Sequence, residues 1–444
     1  MPDTSVFHAN WQPRPFWWEA APPRPADRPL PEQADVVVVG SGYCGLSAAR
    51  TLAMAGRRVV VLDAGDPGSG ASTRNHGMLS GGLKVATKTD RQVGPARAAA
   101  IRQTSFESFT FIKDLIRTEA LDVDYAHTGR FFGAHSRGWY TRLQTRRDYL
   151  ERAFGYHAHM VPREEQRSEI ATDFYHGGLV IEESASVHPA KLFDAMLGLA
   201  RQAGAEVFGR AVVETVDGDP GAMTVRTSRG AIRAAHVVVA TNAYVGRFGR
   251  ALSPYLCRRV IPVTAYLIAT EELPPDLART LLPNDRMGAD TQRSIFAYRL
   301  SPDGRRVIFN ARPWHRSEIG ERAVTASVHR QMCMLWPQLR GYRVTHTWKG
   351  LVGFTFDRLP HLGVKDGVMF ATGCQGNGVA LMSYLGHQMA LKLLHGADPQ
   401  CGHDGLPFPT KPGYTGNPWF LPAVGASYKL RDAAERAWST RADR

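Results

Sequence analysis

Apolar residues in this chain gather into short β-branched runs separated by longer stretches of helical period. Val36 to Val39 in ADVVVVG, Val59 to Leu62 in RRVVVLD and Val237 to Val239 in HVVVATNAY read as strands covered on both faces. Between the first two, Leu46, Ala49 and Ala53 recur at helical spacing, and Gly56 ends the helix. Residues 97–117 read as an amphipathic helix with Ile101, Phe106, Phe109, Ile112 and Ile116 on one face. His188-Pro189 opens another, carrying Leu192, Met196, Leu199 and Ala203, with Gly204 at its end. Leu179–Ile181, Glu206–Phe208, Ala211–Val216 and Met223–Thr227 are further strands, and Arg130 to Trp139 is strand-like with more helix after it. Strands alternating with helices predict an α/β fold with a largely parallel sheet.

The pattern changes over residues 256–345, which read as antiparallel strands plus a helix around Met332. Ser301-Pro302-Asp303-Gly304 is a hairpin turn between Phe296–Leu300 and Arg305–Phe309. Residues 368–394 return to strand, glycine turn and helix. The expected organisation is an N-terminal arm (1–33), one domain from 34–90, 175–255 and 346–395, a second from 91–174 and 256–345, and a peripheral tail (396–444).

The first strand–helix–strand unit carries specific chemistry. Gly40, Gly42 and Gly45 form G-x-G-x-x-G: the first permits a tight turn, the second lets backbone approach a pyrophosphate, and the third lets helix pack on strand. The helix N-terminus offers N–H groups to an anion. Asp63 ends the next strand, where a carboxylate accepts bonds from ribose hydroxyls. The unit predicts a dinucleotide and leaves open whether it is FAD or NAD.

A second glycine turn, Gly373-Cys374-Gln375-Gly376-Asn377-Gly378, again leads a strand into a helix. Two such turns more than 300 residues apart suit a long cofactor held at both ends, and FAD is one. The second helix end would then stabilise negative charge on the flavin pyrimidine ring. The loop Gly70 to Met78, GASTRNHGM, supplies small residues for a flat ring, hydroxyls at Ser72 and Thr73, and Arg74, Asn75 and His76 in a row.

Composition removes several classes. No stretch approaches the roughly 18 apolar residues a bilayer span needs, and the N-terminus lacks a secretory signal, so a cytoplasmic location is expected. The five cysteines (44, 257, 333, 374 and 401) show neither a disulfide framework nor zinc spacing, and no metal is expected. Net charge is +13, from 54 Lys+Arg against 41 Asp+Glu, but the basic residues are dispersed. That disfavours nucleic acid as a partner and leaves an anionic substrate or cofactor open.

Taken together, VVVVGSGYCGLSAARTLA with VVVLDAG, GASTRNHG, SASVHPAKL, VVVATNAY and WKGLVGFTFDRLPHLG leading to GCQGNGVALMSYLG resemble the FAD-dependent D-amino-acid oxidase / glycine oxidase superfamily over residues 34 to 395. The R-N-x-G loop, F-T-x-D-R-L-P-H and G-x-G-V-A are most similar to the γ-glutamylputrescine oxidoreductase subgroup. The resemblance implies an α/β fold with an α+β substrate domain: a Rossmann-type FAD-binding domain assembled from separated segments, and an antiparallel-sheet substrate domain. It places Gly40, Gly42, Gly45 and Asp63 at the AMP half of FAD, with Tyr43, Cys44 and Ala64 beside them, Val213 near adenine and Thr241 near the pyrophosphate. Ser72, Thr73, Asn75, His76, Gly77 and Met78 would approach the flavin, and Gly373, Gln375, Gly376, Asn377, Gly378 and Val379 its pyrimidine edge.

The implied reaction is oxidation of a C–N bond in a small-molecule amine or amino acid. Hydride passes from the α-carbon to flavin N5, the imine hydrolyses, and oxygen or another acceptor takes the electrons. Such chemistry needs orientation and a neutral amine more than a catalytic triad. Sarcosine oxidase relatives grip a carboxylate with a lysine where this chain has Ala380, and attach flavin through a cysteine where it has about Gly350. Noncovalent FAD is therefore expected, with His76 as an alternative attachment point or a contact to substrate or flavin O4. Candidates for the substrate pocket are His76, Tyr298, Arg299, Trp348 and Arg358: the aromatics as a wall, the arginines for a distal carboxylate. Two alternatives stand beside this reading. An NAD-dependent dehydrogenase explains the first motif alone, and a flavin-bearing RNA-modification protein is supported only by charge.

Overall fold

The computed structural model describes residues 6–81, 88–246, 253–312, 320–396 and 401–441. In chain order the first strands are β1 (Phe7–Gln12), β2 (Gln33–Val39), β3 (Val59–Leu62), β4 (Met78–Ser80), β5 (Arg130–Gly133) and β6 (Ala158–Val161). Next come β7 (Gly178–Ile181), β8 (Ser184–Ser186), β9 (Glu206–Phe208), β10 (Val213–Asp219), β11 (Ala222–Thr227) and β12 (Gly230–Val239). The rest are β13 (Val260–Thr270), β14 (Met287–Asp290), β15 (Ala297–Leu300), β16 (Val307–Ala311), β17 (Val344–Thr355), β18 (His361–Lys365) and β19 (Val368–Thr372). The helices are α1 (Tyr43–Met54), α2 (Lys88–Val93), α3 (Pro95–Thr118), α4 (Arg137–Phe154) and α5 (Pro189–Gln202), then α6 (Pro254–Cys257), α7 (Pro275–Leu281), α8 (Glu321–Leu335), α9 (Gly378–His395) and α10 (Leu421–Arg441).

The apolar runs build the first sheet. Its parallel centre has the order β19-β12-β2-β3-β9, with Val36 opposite Val59 and Val38 opposite both Val61 and Val238. Both faces are buried, as the continuous valine runs require. Val36 and Val38 pack with α1, α3, α5 and α9, while Val37 and Val39 pack with Phe208, Ile232 and Phe370. An antiparallel meander, β10-β11-β12, extends the sheet at one side, and β18 pairs antiparallel with β19.

The second sheet has nine strands in the order β1-β17-β13-β16-β15-β14-β5-β7-β6. It is antiparallel except at β1–β17 and β14–β5. Period-two alternation gives it two unlike faces. Ile268, Tyr298 and Phe309 pack against Val324, Val328 and Met332 of α8. Val263, Ala265, Leu267, Ala297 and Asn310 look the other way, into a cavity.

Several expected boundaries shift. The N-terminal arm is not merely a wrap: β1 is an edge strand of the second sheet. Strands β7 and β17, expected in the dinucleotide domain, also belong to that sheet, whereas Phe109, Ile112 and Ile116 of α3 bury against the first. The segment Arg130 to Trp139 is strand only to Gly133. Ser136 then caps α4, accepting from Trp139 N at 3.4 Å. The tail is not peripheral, because α10 borders the cavity.

Candidate functional site

A cavity of about 1350 Å³ lies between the two sheets. At one end it meets the first glycine turn. Gly40 has φ +103°, and a Cβ there would lie 3.0 Å from the Ala240 carbonyl oxygen. A Cβ on Gly45 would lie 1.9 Å from the Gly40 oxygen, so α1 rests directly on the turn. Three donors fix the Asp63 carboxylate. Its Oδ2 accepts from Ser41 N at 2.9 Å and Ser41 Oγ at 2.5 Å, and Oδ1 from Gly65 N at 3.0 Å. Burial pushes its pKa up, against those bonds. Gly40, Gly42, Tyr43, Cys44, Asp63, Ala64, Ser72 and Val213 all line this end. Thr241 lines it too, and its hydroxyl is buried with no partner in the protein. That donor, the glycine cradle and the clamped carboxylate fit a ribose-pyrophosphate.

The second glycine turn reaches the same cavity through Gln375, Gly376, Asn377, Gly378 and Val379. Asn242 fixes its approach, as its Oδ1 accepts from Gly373 N at 3.0 Å. Gln375 has φ +51°, and its Nε2 donates to Thr355 Oγ1 at 2.8 Å. No side chain caps α9, so its first N–H groups face the cavity end without an intrahelical acceptor. A backbone contact joins the two turns: a Cβ on Gly386 of α9 would lie 2.1 Å from the Cys44 carbonyl oxygen of α1.

Arg74, Asn75, His76 and Met78 also border the cavity. The Asn75 side chain holds the loop, with Oδ1 accepting from Gly77 N at 2.7 Å. Burial, with Arg299 nearby, pushes His76 down to about 3, so its imidazole is neutral. Its Nε2 lies 3.4 Å from the Ile308 carbonyl oxygen.

Other expected site residues support the cavity without lining it. Gly45 and Gly373 shape their turns, Thr73 donates to the Gly68 carbonyl at 2.5 Å, and Gly77 permits a close approach to Val187. Three substrate-pocket candidates require correction. Tyr298 has the opposite parity to Ala297 on β15, so it faces α8 and packs edge-on to Trp336 at 4.9 Å. Arg299 donates to the carbonyls of Leu300 (2.9 Å), His76 (3.1 Å) and Val187 (2.8 Å), which leaves it a staple for the flavin-side loop. Trp348 donates to the Arg74 carbonyl at 2.9 Å from behind that loop. His76 and Arg358 remain, and both line the cavity.

Sequence reasoning missed most of the far end. Trp139, Arg142, Arg146 and Tyr149 project from one face of α4 at spacings of three, four and three, a pattern legible once that segment is read as helix. Arg130 and Phe132 come from β5, Arg312 follows β16, and Val424, Tyr428 and Arg431 come from α10. Arg293 clamps α10 in place, pairing with Asp432 at 2.7 Å and Glu435 at 2.7 Å. Glu435 also accepts from Trp139 Nε1 at 2.9 Å and lies 3.0 Å from His135 Nε2. Its hydrogen bond to Arg293, ahead of the others, holds its pKa down at about 2.

Residues 35–391 match the FAD dependent oxidoreductase (DAO) family. The chain belongs to that family. Its dinucleotide is therefore FAD, which sets the NAD reading aside. Among curated relatives of this FAD-dependent oxidoreductase, γ-glutamylputrescine oxidoreductase of Escherichia coli is 31% identical over 90% of the chain and 92% of the relative. A probable oxidoreductase, OrdL of Rhizobium meliloti, is 30% identical over 83% and 86%. Glycine oxidase from Geobacillus kaustophilus shares the fold, with TM-score 0.68 and 21% identity over 86% of this chain and 99% of that one. Among the described residues no helix is long and apolar enough to cross a membrane.

Proposed function

We propose that this FAD-dependent oxidoreductase oxidises a C–N bond in an amine that also carries a carboxylate, a substrate of the γ-glutamylputrescine kind. One observation carries the reading. Among the described residues lining the cavity, eight are arginines and one, Asp63, is a carboxylate. A free polyamine, wholly cationic, meets repulsion there, whereas a substrate with an anionic group meets attraction. The same field favours a neutral amine, the form that can lose hydride.

The chain's own residues divide the work. The turn at Gly40 and Gly42, with Asp63 and Thr241, would hold the AMP and pyrophosphate, Val213 would meet adenine, and the α9 end would face the pyrimidine edge. Bound FAD supplies the hydride acceptor. Neutral His76 offers no positive charge to the amine, and Ile261, Val263, Ala265 and Leu267 exclude water from one wall. With no cysteine among the described residues lining the cavity except Cys44 and Cys374, both buried in the glycine turns, noncovalent FAD is the consistent state. The test is an anaerobic visible spectrum of the purified holoprotein. γ-Glutamylputrescine should bleach the flavin and putrescine should not, and admitting air then tests oxygen as the acceptor. Bleaching by putrescine alone, or by no carboxylate-bearing amine or amino acid, refutes the proposal.

A further inference from the structure

Arg130 and Arg146 stand on different elements and meet at one aromatic ring. The Arg130 guanidinium carbon is 5.0 Å from the Phe132 ring centroid, and that of Arg146 is also 5.0 Å from it. All three residues border the cavity. Arg130 is 7% exposed, and its Nε is buried without a hydrogen-bond partner. Burying a guanidinium with an unused donor costs free energy unless a ligand supplies an acceptor. Arg146 lies deep in the protein and keeps its exposed surface towards the cavity. Burial lowers both pKa values to about 10, with each group still charged at neutral pH. Asp63, the one carboxylate lining the cavity among the described residues, is engaged by Ser41 and Gly65 at the other glycine-rich end.

We infer that Arg130 and Arg146, braced by Phe132, form an anion subsite that takes the distal carboxylate of the substrate. The inference rests on the amine-oxidation reading for the identity of the substrate, but anion binding itself does not require turnover. Phe132 holds the two forks apart and covers them on the protein side, so a carboxylate in the cavity meets donors from both. The pair would set how far the reacting C–N bond lies from the substrate's acidic end, and hence which amines are accepted.

Glutarate, a dicarboxylate without an amine, serves as the probe, with binding to the FAD-loaded protein measured by calorimetry. Wild type should bind it, and Arg130→Met and Arg146→Met should each weaken binding at least tenfold. Arg146→Lys should fall between, because it keeps charge and loses the fork. Arg152→Ala, on the exposed side of α4, should leave binding unchanged. The flavin spectrum of each variant reports whether the fold survives, and the lysine variants carry the test where a methionine variant does not fold. Wild-type affinity in a folded Arg130→Met or Arg130→Lys protein, or no glutarate binding by wild type, overturns the subsite. Arginine-dependent glutarate binding with no flavin reduction by any amine would keep the subsite and remove the amine-oxidation reading instead.

Discussion

Gly386→Ala probes how the two cofactor-facing turns are held together. A methyl group there would lie 2.1 Å from the Cys44 carbonyl oxygen and 2.9 Å from its carbon. The opposing atoms are backbone, so no side chain can swing aside, and α9 and α1 must separate by more than about 1 Å to restore ordinary contact. Overpacking of this kind costs about 1–3 kcal/mol, and backbone against backbone belongs at the upper end. The displacement also moves one glycine turn relative to the other. Misplacements near 1 Å can cost on the order of a hundredfold in function, so FAD affinity should fall at least about tenfold. The assay is retention of flavin on dialysis, with the melting temperature followed by release of flavin fluorescence. Gly198→Ala is the matched control. Gly198 lies within α5, and a Cβ there meets nothing within 4 Å, so alanine should be neutral or stabilising by up to about 1 kcal/mol. If Gly386→Ala retains FAD and melts as Gly198→Ala does, the close α1–α9 contact does not position the cofactor.

Two further outcomes follow from charge. Arg293→Ala removes both ion pairs that hold α10 and leaves Asp432, which is 2% exposed, without its cation. Uncompensated burial of this kind costs about 3–5 kcal/mol, so the melting temperature should drop and protease should cut before α10 first; a wild-type digestion pattern would refute the clamp. Asp290 is buried, and that burial raises its pKa to about 7 despite bonds from Gln292 and Phe296. A carboxyl that is harder to ionise when folded binds more protons in the native state. Stability should therefore fall as pH rises from about 4 to about 7. Denaturant titrations of Asp290→Asn should show a flatter profile over that range, and an unchanged slope would refute the assignment.

The dinucleotide end was legible in the sequence because local rules decide it. A glycine turn, a buried valine strand and a carboxylate at the next strand end are fixed by backbone sterics within some 30 residues, and Gly40, Gly42 and Asp63 stand where those rules put them. The substrate end was not, because it depends on which way side chains point after assembly. On β15 a shift of one residue separates Ala297, in the cavity, from Tyr298, in the α8 core. Arg299 has the right parity, yet three carbonyls from two loops take up its donors, and no local pattern reports that. Reading Trp139 as strand hid the α4 face, and reading the Gly- and Pro-rich tail as peripheral hid α10.

The same failure explains how the net charge of +13 was read. Along the sequence the basic residues look dispersed, which removed nucleic acid but pointed nowhere else. Folding brings arginines from β5, α4, the end of β16 and α10 to one cavity. Arg293 is answered there by Asp432 and Glu435, and a cofactor pyrophosphate answers charge at the glycine-turn end. Arg130, Arg146 and Arg312 come from the other sheet or its flanking helix, and buried Nε atoms of Arg130 and Arg312 have no acceptor. Surface arginine needs no explanation, since water solvates it. Buried arginine with open donors does, and an anionic group on the substrate is the acceptor that a cavity of this composition selects.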